Sequence, residues 1–548
     1  MRRTGILVST LVLLASLLLP LWAQERPPDT GKMSWDLYQL VMAGRRKRAA
    51  GQEVPELKVL LTAREPLKEE DLEELKEKGY TVLAAYGHFV LVEAPMDYFA
   101  EEEVGINTLE FVRNASLPPE QILSDTLTNG TAIIRAEVMW AQGYYGEGIK
   151  VAVIDEGFTP THPTLSGMDP APIYYLVVPM PFLNTYVPRK GEVATESRHG
   201  TSCAIIVHDV APKAQLYLIS YPSFFGPIGW LCALEFAVRE LKVDVVTSSV
   251  EFSRPTCHAD GTGPLNEAVS EILRGSDTLF FLAAGNWAMG SGADRSHYHA
   301  TFTDTDGDGR HDFTQTDDAW DRNTLLFEAE EGDQIYVFIE WDEWRVDRAA
   351  RDLDLYLYDA EYRIVLAHSL ATQYGKDVEP VESITLTLPY SGRYAIVIED
   401  AAARYYGGSS EGVSFHLYLF NRSDPFPFIE YHTFCSSVRE VATNPDVIAV
   451  GAFSPEDGTV RPYSSRGPTC NGLPKPEILA PDGVTGTVYE YFYGTSAAAP
   501  YAASAAALLI QANDGSLTKE EFLANCCTRD GKDECGNPIC KLRLPGIL

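Results

Sequence analysis

The sequence is poor in positive charge. It holds 44 lysine and arginine residues against 77 aspartate and glutamate residues, so the 548-residue chain carries a formal net charge of −33 at pH 7. Proteins that wrap nucleic acid need Lys and Arg contacts to the phosphates, so we expect no nucleic-acid partner. A surplus of carboxylates favours solubility and cation binding instead, and it leaves the fold open.

Long apolar runs are also scarce, and the clearest one stands at the start of the chain. Residues 6–22 are mostly apolar, Arg2 and Arg3 precede them, and Ala23 follows. This pattern predicts a secretory signal peptide over residues 1–23. An uncleaved anchor helix is the alternative, but the run is short and interrupted for a bilayer span of about 20 residues. We therefore expect a secreted, extracellular protein, free or associated with the cell surface, without a stable membrane span after signal cleavage.

Cysteine is rare, with nine residues in the chain. In an exported protein this number permits disulfides and leaves one cysteine over. The last four cysteines lack the paired C-x₂-C spacing of a structural zinc site, so we expect disulfides among them, with the pairing left open. These four are Cys526, Cys527, Cys535 and Cys540.

Apolar residues are plentiful at 45% of the chain, which supports packed cores and excludes global disorder. The length suggests roughly two to four domains. Between about 55 and 115 the pattern predicts a small α+β unit in the order β-α-β-β-α-β, a ferredoxin-like arrangement. We assign residues 24–125 to this N-terminal region.

The remainder of the chain alternates between two textures. Over residues 126–298, and again over 432–548, short apolar strands alternate with helices, which predicts a parallel sheet flanked by helices. Between them, residues 299–431 alternate apolar and polar positions, most clearly over 352–359, which predicts an antiparallel β-sandwich. The predicted fold class is therefore α/β, with an N-terminal α+β domain and a sandwich inserted into the α/β domain.

Four polar side chains stand where strands end or helices begin. Asp155 ends the apolar strand 151–154, His199 lies at a predicted helix start, Asn286 follows a strand, and Ser496 opens an Ala-rich helix. Such positions place functional groups in α/β proteins. Each residue alone also has a purely structural interpretation, as a capping Asp, a surface His, a turn or an N-cap.

Together and in this order, the four segments resemble the subtilisin-like serine protease family, the subtilases. Further segments that match the family are 162–165, 207–212, 464–468 and 475–481. The resemblance implies a serine endopeptidase for protein or peptide substrates that needs no cofactor for catalysis. It implies Ser496 as nucleophile, His199 as general base and then acid, and Asp155 as the group that orients His199. Asn286 and the Ser496 N–H would form the oxyanion hole.

The same resemblance places Ser249, Val250 and Glu251 on the strand that lines the substrate channel. Glu251 is bulkier than the glycine that subtilases usually carry there. Either its carboxylate faces the first specificity pocket and favours basic side chains, or it points to solvent.

Two residues beside the expected triad also bear on the chemistry. Glu156 follows Asp155 where the family usually has Ser or Thr. We expect this difference to alter the hydrogen bonding around the triad. Cys203 lies one helical turn after His199, where some subtilases carry an unpaired cysteine. The other eight cysteines can pair among themselves, so we expect Cys203 to be the free thiol.

The N-terminal α+β unit resembles subtilase propeptides. The resemblance implies a folding chaperone and inhibitor of its own protease, removed by a cut between about residues 113 and 130. An accessory domain that stays attached is the alternative.

The inserted sandwich resembles the pre-peptidase C-terminal type of β-domain, and an acidic loop precedes it. Asp304, Asp306 and Asp308 occupy positions one, three and five of a calcium-loop pattern, and Asp312 occupies position nine. No pair of helices flanks the loop as in an EF-hand. We expect a structural calcium ion there, with a plain acidic turn as the alternative.

The sequence thus predicts a secreted serine endopeptidase made as a preproprotein. The competing hypothesis is a catalytically inactive subtilase-fold surface or binding protein that acts through the β-sandwich.

Overall fold

A computed structural model of the chain describes residues 31–49, 51, 54–101, 105–116, 121–122, 130–252, 259–288, 295–344, 348–421 and 429–545. The predicted signal peptide lies outside these described residues. Within the same ranges, no helix is both long and apolar enough to cross a membrane.

The N-terminal unit is a four-stranded antiparallel sheet in the order β2-β3-β1-β4. Buried leucines and valines of β1 and β3 pack with two helices to form its core. Its elements are α1 Trp35–Ala49, β1 Glu56–Ala63, α2 Glu69–Glu77, β2 Thr81–Tyr86, β3 Phe89–Pro95 and β4 Val112–Ser116.

The predicted second helix of this unit is wrong. The acidic segment after β3 forms only a 3₁₀ turn, Tyr98–Ala100, in which Phe99 alone is buried. A single apolar anchor gives no helical face to bury, so tertiary packing does not sustain a longer helix. Helix α1, which the sequence pattern did not indicate, supplies a second helix ahead of β1 instead.

A ten-stranded sheet carries the rest of the chain outside the sandwich, in the order β23-β24-β22-β21-β12-β10-β6-β9-β7-β8. Its strands before the sandwich, with the two-residue strands that pair beside it, are β5 Gln121–Ile122, β6 Lys150–Asp155, β7 Ile173–Pro179, β8 Tyr186–Lys190, β9 Gln215–Ser220, β10 Val245–Ser248, β11 Glu251–Phe252 and β12 Leu279–Ala283. The helices of this part are α3 Ala136–Trp140, α4 Pro163–Ser166, α5 Arg198–Val210, α6 Gly226–Glu235 and α7 Pro264–Leu273.

The central strands of this sheet are parallel and buried on both faces. In β6, Val151 and Val153 join one apolar core, while Ala152 and Ile154 join the core on the opposite face. Strand β6 pairs in parallel with β9 on one side and β10 on the other. This confirms the predicted α/β fold, because a parallel sheet needs helices on both faces.

The inserted domain consists of two four-stranded antiparallel sheets, β13-β20-β15-β18 and β14-β19-β16-β17. Apolar residues of both sheets share one core. Its resemblance to the pre-peptidase C-terminal type of domain stays a prediction. The elements are β13 Arg295–Thr301, α8 Ala319–Arg322, β14 Leu325–Ala329, β15 Gln334–Trp341, β16 Leu353–Asp359, β17 Ile364–Ser369, β18 Val381–Thr387, β19 Gly392–Asp400 and β20 Ser414–Asn421.

After the sandwich the chain returns to the ten-stranded sheet. The remaining elements are β21 Ile448–Phe453, β22 Ile478–Pro481, α9 Thr495–Ala512, α10 Lys519–Cys526, β23 Cys527–Lys532 and β24 Pro538–Leu542.

Among the residues that the structure describes, two disulfides join Cys435 to Cys535 and Cys527 to Cys540. Cys203 is buried and unpaired, as expected. The expectation that the other eight cysteines pair is wrong, because Cys232 and Cys526 are also buried free thiols. Both lie on helices that face apolar cores, where a thiol packs as a small apolar side chain.

Candidate active site

Asp155 is the last residue of β6 and is fully buried at the carboxyl end of the parallel sheet. Its Oδ2 lies 2.7 Å from Nδ1 of His199, and its Oδ1 accepts a 3.0 Å hydrogen bond from the N–H of Glu156. A carboxylate with both oxygens bonded is held in one orientation. The imidazole Nδ1–H that it accepts fixes the tautomer, so the lone pair of a neutral ring lies on Nε2.

His199 is the second residue of α5, and the start of that helix is closely packed against the end of β6. Ser197 caps the helix by accepting a hydrogen bond from the N–H of Gly200. A Cβ at Gly200 would lie 2.2 Å from the carbonyl oxygen of Gly157 and 2.8 Å from Cβ of Asp155. Glycine is therefore required at position 200 for the helix to approach Asp155 closely enough to pair its histidine.

Ser496 is the second residue of α9, which follows Gly494 at a φ of 100°. Its carbonyl oxygen accepts a 2.9 Å hydrogen bond from Oγ of Ser249. In a regular helix that carbonyl would accept from the N–H four residues later, but that residue is Pro500, which has none. The proline thus leaves the serine's carbonyl available to tie α9 to the end of β10.

Asn286 is bound to the residue before Ser496. Its Oδ1 accepts hydrogen bonds from both the N–H and the Oγ1 of Thr495, at 3.0 and 3.1 Å. The N–H of Gly285 in turn donates to Oγ1 of Thr495 at 3.2 Å. Because the amide oxygen faces Thr495, the amide NH₂ group lies on the other side of Cγ as a donor.

Glu156 and Cys203 adjoin the Asp155–His199 pair, as predicted. Burial raises the pKa of Glu156 above its usual range, and the charge of Asp155 raises it further. The Cys203 thiol lies within 4.8 Å of ligand atoms of both Asp155 and His199. Burial raises the pKa of this thiol well above its ordinary value, so it is held as a neutral thiol.

Ser249 and Val250 are buried and follow β10 directly. Beyond them β11 forms a short antiparallel pair with β5, in which Glu251 opposes Ile122 and Phe252 opposes Gln121. The edge of this segment therefore already accepts another extended strand. That strand comes from the N-terminal region of the same chain.

The Glu251 carboxylate points toward other side chains of the protein, one of which is cationic. Its Oε1 accepts a 2.6 Å hydrogen bond from the indole Nε1 of Trp287 and lies 3.5 Å from Nη1 of Arg439. Arg439 also donates a 2.8 Å hydrogen bond to the carbonyl oxygen of Phe252. The Glu251 carboxylate is thus engaged by two groups of the protein itself, a contact that neither sequence-based alternative included.

Sequence reasoning missed Trp287 and Arg439 as the groups that hold Glu251 in the segment 249–252. Trp287 directly follows Asn286, which was a usable signal. Arg439 is separated from Glu251 by the whole inserted sandwich, and only the fold brings the two together.

The acidic loop before β14 gathers three of its four predicted ligands. Carboxylate oxygens of Asp304, Asp306 and Asp308 lie within 4.8 Å of one another. Burial raises the pKa of Asp308, and the charges of Asp306 and Asp304 raise it further. Asp312 turns away from this group, because its Oδ2 accepts a 2.7 Å hydrogen bond from the N–H of Thr305 and its Oδ1 lies 3.0 Å from Nε of Arg322.

Comparison with known proteins bears on the ten-stranded part of the chain. A family model described as the subtilase family matches residues 146–310 and 433–529, which contain all four of the expected catalytic residues. The matched part, just under half of the chain, is similar to the subtilase family. The stretch between the two matched segments, residues 311–432, contains most of the sandwich. The matched segments hold the Asp155–His199 pair, whose geometry is the one that serine-protease chemistry uses.

Two relatives come from Bacillus subtilis. The major intracellular serine protease is 29% identical over 191 residues, which are 32% of this chain and 54% of that protein. Subtilisin E is 25% identical over 289 residues, which are 49% of this chain and 69% of that protein. The chain therefore spans between about half and two thirds of the length of these relatives.

Among solved structures, the CspB protease of Clostridium perfringens matches with a TM-score of 0.54 and 17% sequence identity. The match covers 76% of this chain and 97% of that one. At this identity the likeness is one of fold.

Proposed function

We infer that the protein is a secreted serine endopeptidase that hydrolyses peptide bonds with Ser496 as nucleophile. The observation that carries this proposal is the buried 2.7 Å contact between Asp155 and Nδ1 of His199, in a chain whose Ser496 opens a helix tied to Asn286 through Thr495. Asp155 holds the ring with Nε2 as its basic nitrogen. His199 can then accept the proton of the serine hydroxyl as that oxygen attacks.

The developing oxyanion needs donors that are already in place. The NH₂ group of Asn286 and the N–H of Ser496 are the proposed donors, and the positive end of α9 adds to them. His199 next gives its proton to the leaving amine, and a water molecule hydrolyses the acyl-enzyme by the same steps in reverse order. No cofactor is needed for this reaction.

Peptide substrates are proposed to lie in extended form along Ser249, Val250 and Glu251. The antiparallel pairing of β5 with β11 supports this, because a strand edge that accepts one extended segment can accept another once the first has left. Because the Glu251 carboxylate is already bonded within the protein, we propose that the strand contacts the substrate backbone at that position.

The N-terminal region over residues 24–125 is proposed to be an inhibitory propeptide. Its segment β5 occupies the strand edge that a substrate would use, which supports inhibition by direct occlusion. The pair is antiparallel, so β5 runs from Phe252 to Glu251, in the direction of Ser249, whose hydroxyl bonds the Ser496 carbonyl. We expect the self-cleavage site a few residues after Ile122, within the interval 123–129.

The acidic loop is proposed to hold a structural calcium ion. Three convergent carboxylates are the oxygen ligands that this cation prefers, and their mutual repulsion is relieved when it binds. Asp304, Asp306 and Asp308 fit such a site, whereas Asp312 contributes through its bonds to the loop and to Arg322.

The test of the proposed function is Ser496→Ala. We expect loss of casein hydrolysis, loss of labelling by a fluorophosphonate, and an N-terminus that still precedes residue 123, while wild type starts within 123–130. Ser504→Ala is the matched control, since Ser504 is a buried serine of the same helix that bonds only backbone carbonyls. Wild-type turnover or labelling in Ser496→Ala would show that Ser496 is not the nucleophile. Absence of casein hydrolysis and of labelling in wild type itself would support the inactive binding protein, with the sandwich as its working part.

A further inference from the structure

The inserted sandwich contacts the N-terminal unit as well as the ten-stranded sheet. The contact lies at the segment just before β18, which carries Asp377 and Glu379. We call these two residues the acidic edge. Both are on the sandwich, whereas the groups that meet them belong to β4 and to Arg64, the residue after β1.

Asp377 is shared by two arginines. Nε of Arg113 lies 2.8 Å from its Oδ1, and the guanidinium of Arg64 pairs with its Oδ2. Only 7% of the Arg113 side chain and 19% of the Asp377 side chain are exposed. A pair this well covered is weakly screened by salt, and removing either partner leaves the other charge buried.

Glu379 makes the second polar contact. Its Oε2 accepts a 2.6 Å hydrogen bond from Nδ2 of Asn114, and both residues are buried. Arg113 and Asn114 are adjacent on β4, so one strand of the N-terminal unit presents both partners to the acidic edge. A ring contact also joins the N-terminal unit to the sandwich, because the rings of Trp35 on α1 and His368 on β17 are 5.5 Å apart.

The N-terminal unit is therefore held from two sides. On the other side, Nζ of Lys58 lies 4.4 Å from the ring centre of Phe224 beside α6, and β5 pairs with the substrate strand. A cut after Ile122 ends the covalent link near the active site, but it leaves every contact to the acidic edge intact. The chain as a whole has a net charge of −33, yet the acidic edge pairs with two basic side chains of the N-terminal unit, Arg64 and Arg113.

We propose that the acidic edge is a second docking surface for the cleaved N-terminal segment, which keeps it bound after the cut and so sets the delay before the active site is open. This rests on the proposed function of that segment as a propeptide. The partner is the chain's own N-terminal segment, of which the acidic edge binds two arginines and an asparagine amide. The sandwich then acts in the timing of activation.

The experiment separates the docking from self-cleavage. In the Ser496→Ala background, a recognition sequence for a sequence-specific protease is placed within 123–129, the chain is cut, and release of the N-terminal segment is followed by size-exclusion chromatography. For Asp377→Asn we expect release at least roughly tenfold faster than in the parent, since a buried arginine loses its partner. Arg113→Gln, on the other side of the contact, should have the same effect.

Asp317→Asn is the matched control, because Asp317 is an exposed carboxylate of the same sandwich. It should release the segment at the parental rate. Equal release rates for Asp377→Asn, Arg113→Gln and the parent, with unchanged unfolding temperatures, would overturn the docking surface. The absence of self-cleavage in active wild-type protein would count against the propeptide alone, because the engineered cut does not depend on it.

Discussion

At the scale of single residues, the His199 imidazole interacts with two carboxylates, those of Asp155 and Glu156. Asp155 holds His199 directly, and Glu156 follows it with a side chain that is only partly buried. The pKa of Glu156 is raised by burial and by Asp155, and it is lowered by His199, so the charges of Glu156 and His199 interact. An additional negative charge near a histidine favours its protonated form.

Glu156→Gln should therefore move the acid limb of the kcat/KM profile toward lower pH, by on the order of half a pH unit. Without the second carboxylate the imidazolium is less stabilised, so the basic form of His199 persists at lower pH. The measurement is kcat/KM for a peptide substrate from pH 5 to 9. Glu147→Gln, an exposed carboxylate before the opposite end of β6, should leave the limb in place. If the acid limb lies at the wild-type pH in both variants, the proposed interaction between Glu156 and His199 is wrong.

The motifs predicted the positions of Asp155 and His199 at the ends of their elements, because strand ends and helix starts are local features of a sequence. The environment of Glu251 was not predictable. Its partners Trp287 and Arg439 come from other parts of the chain, and Arg439 is 188 positions away. Long-range pairing of this kind leaves no periodic signal in a single sequence.

At the scale of elements, strand β16 shows where an alternating pattern misleads. Alternation commonly means that the polar face of a strand is solvated. The strand was correctly predicted, yet Asp352 and Asp354 are each only 1% exposed. Burial raises the pKa of Asp354 well above its usual range, and the charges of Asp352 and Glu382 raise it further.

Asp354→Asn should stabilise the protein increasingly as pH rises. The buried carboxyl keeps its proton in the folded state, whereas the unfolded chain releases it above pH 3.8. The contribution of this carboxyl group to the free energy of unfolding is thus complete below pH 3.8. At higher pH it falls by about 1.4 kcal/mol per pH unit until the folded group ionises. Asparagine does not titrate. Unfolding temperatures at pH 4 and pH 8, in the Ser496→Ala background, should diverge from those of the parent only at pH 8, and an equal offset at both pH values would contradict this.

The acidic loop supplies the second prediction at this scale. A chelator should lower the unfolding temperature, because calcium at a hundred times its dissociation constant stabilises the folded state by about 2.7 kcal/mol. Asp306→Asn should remove most of this sensitivity, since it takes one of three convergent carboxylates. Asp317→Asn should retain it. Titration calorimetry that detects no calcium binding to wild type would leave the loop as an acidic turn.

At the scale of the whole molecule, the buried cation Arg439 joins the sandwich to the segment 249–252, the proposed substrate strand. Arg439 lies beneath three aromatic rings, with its Cζ 4.8 Å from the ring centre of Phe338 and 5.2 Å from that of Tyr418, both on the sandwich. The third ring is Trp287, 5.2 Å away. The same guanidinium binds Glu251 and the carbonyl oxygen of Phe252. The insertion was predictable from the change in the pattern of apolar residues along the sequence. The coupling of the sandwich to the active site was not predictable.

Phe338→Ala should accordingly raise KM by roughly five- to thirtyfold, which corresponds to about 1–2 kcal/mol of lost cation–π and packing energy around Arg439. The substrate strand loses a support while the Asp155–His199 pair is untouched, so kcat should change much less. Phe327→Ala is the matched control, because Phe327 is equally buried in the core of the same sandwich but does not take part in the cluster around Trp287. It should destabilise the protein comparably without moving KM. If the two variants raise KM to the same extent, the effect comes from general loss of stability, and the proposed coupling through Arg439 is wrong.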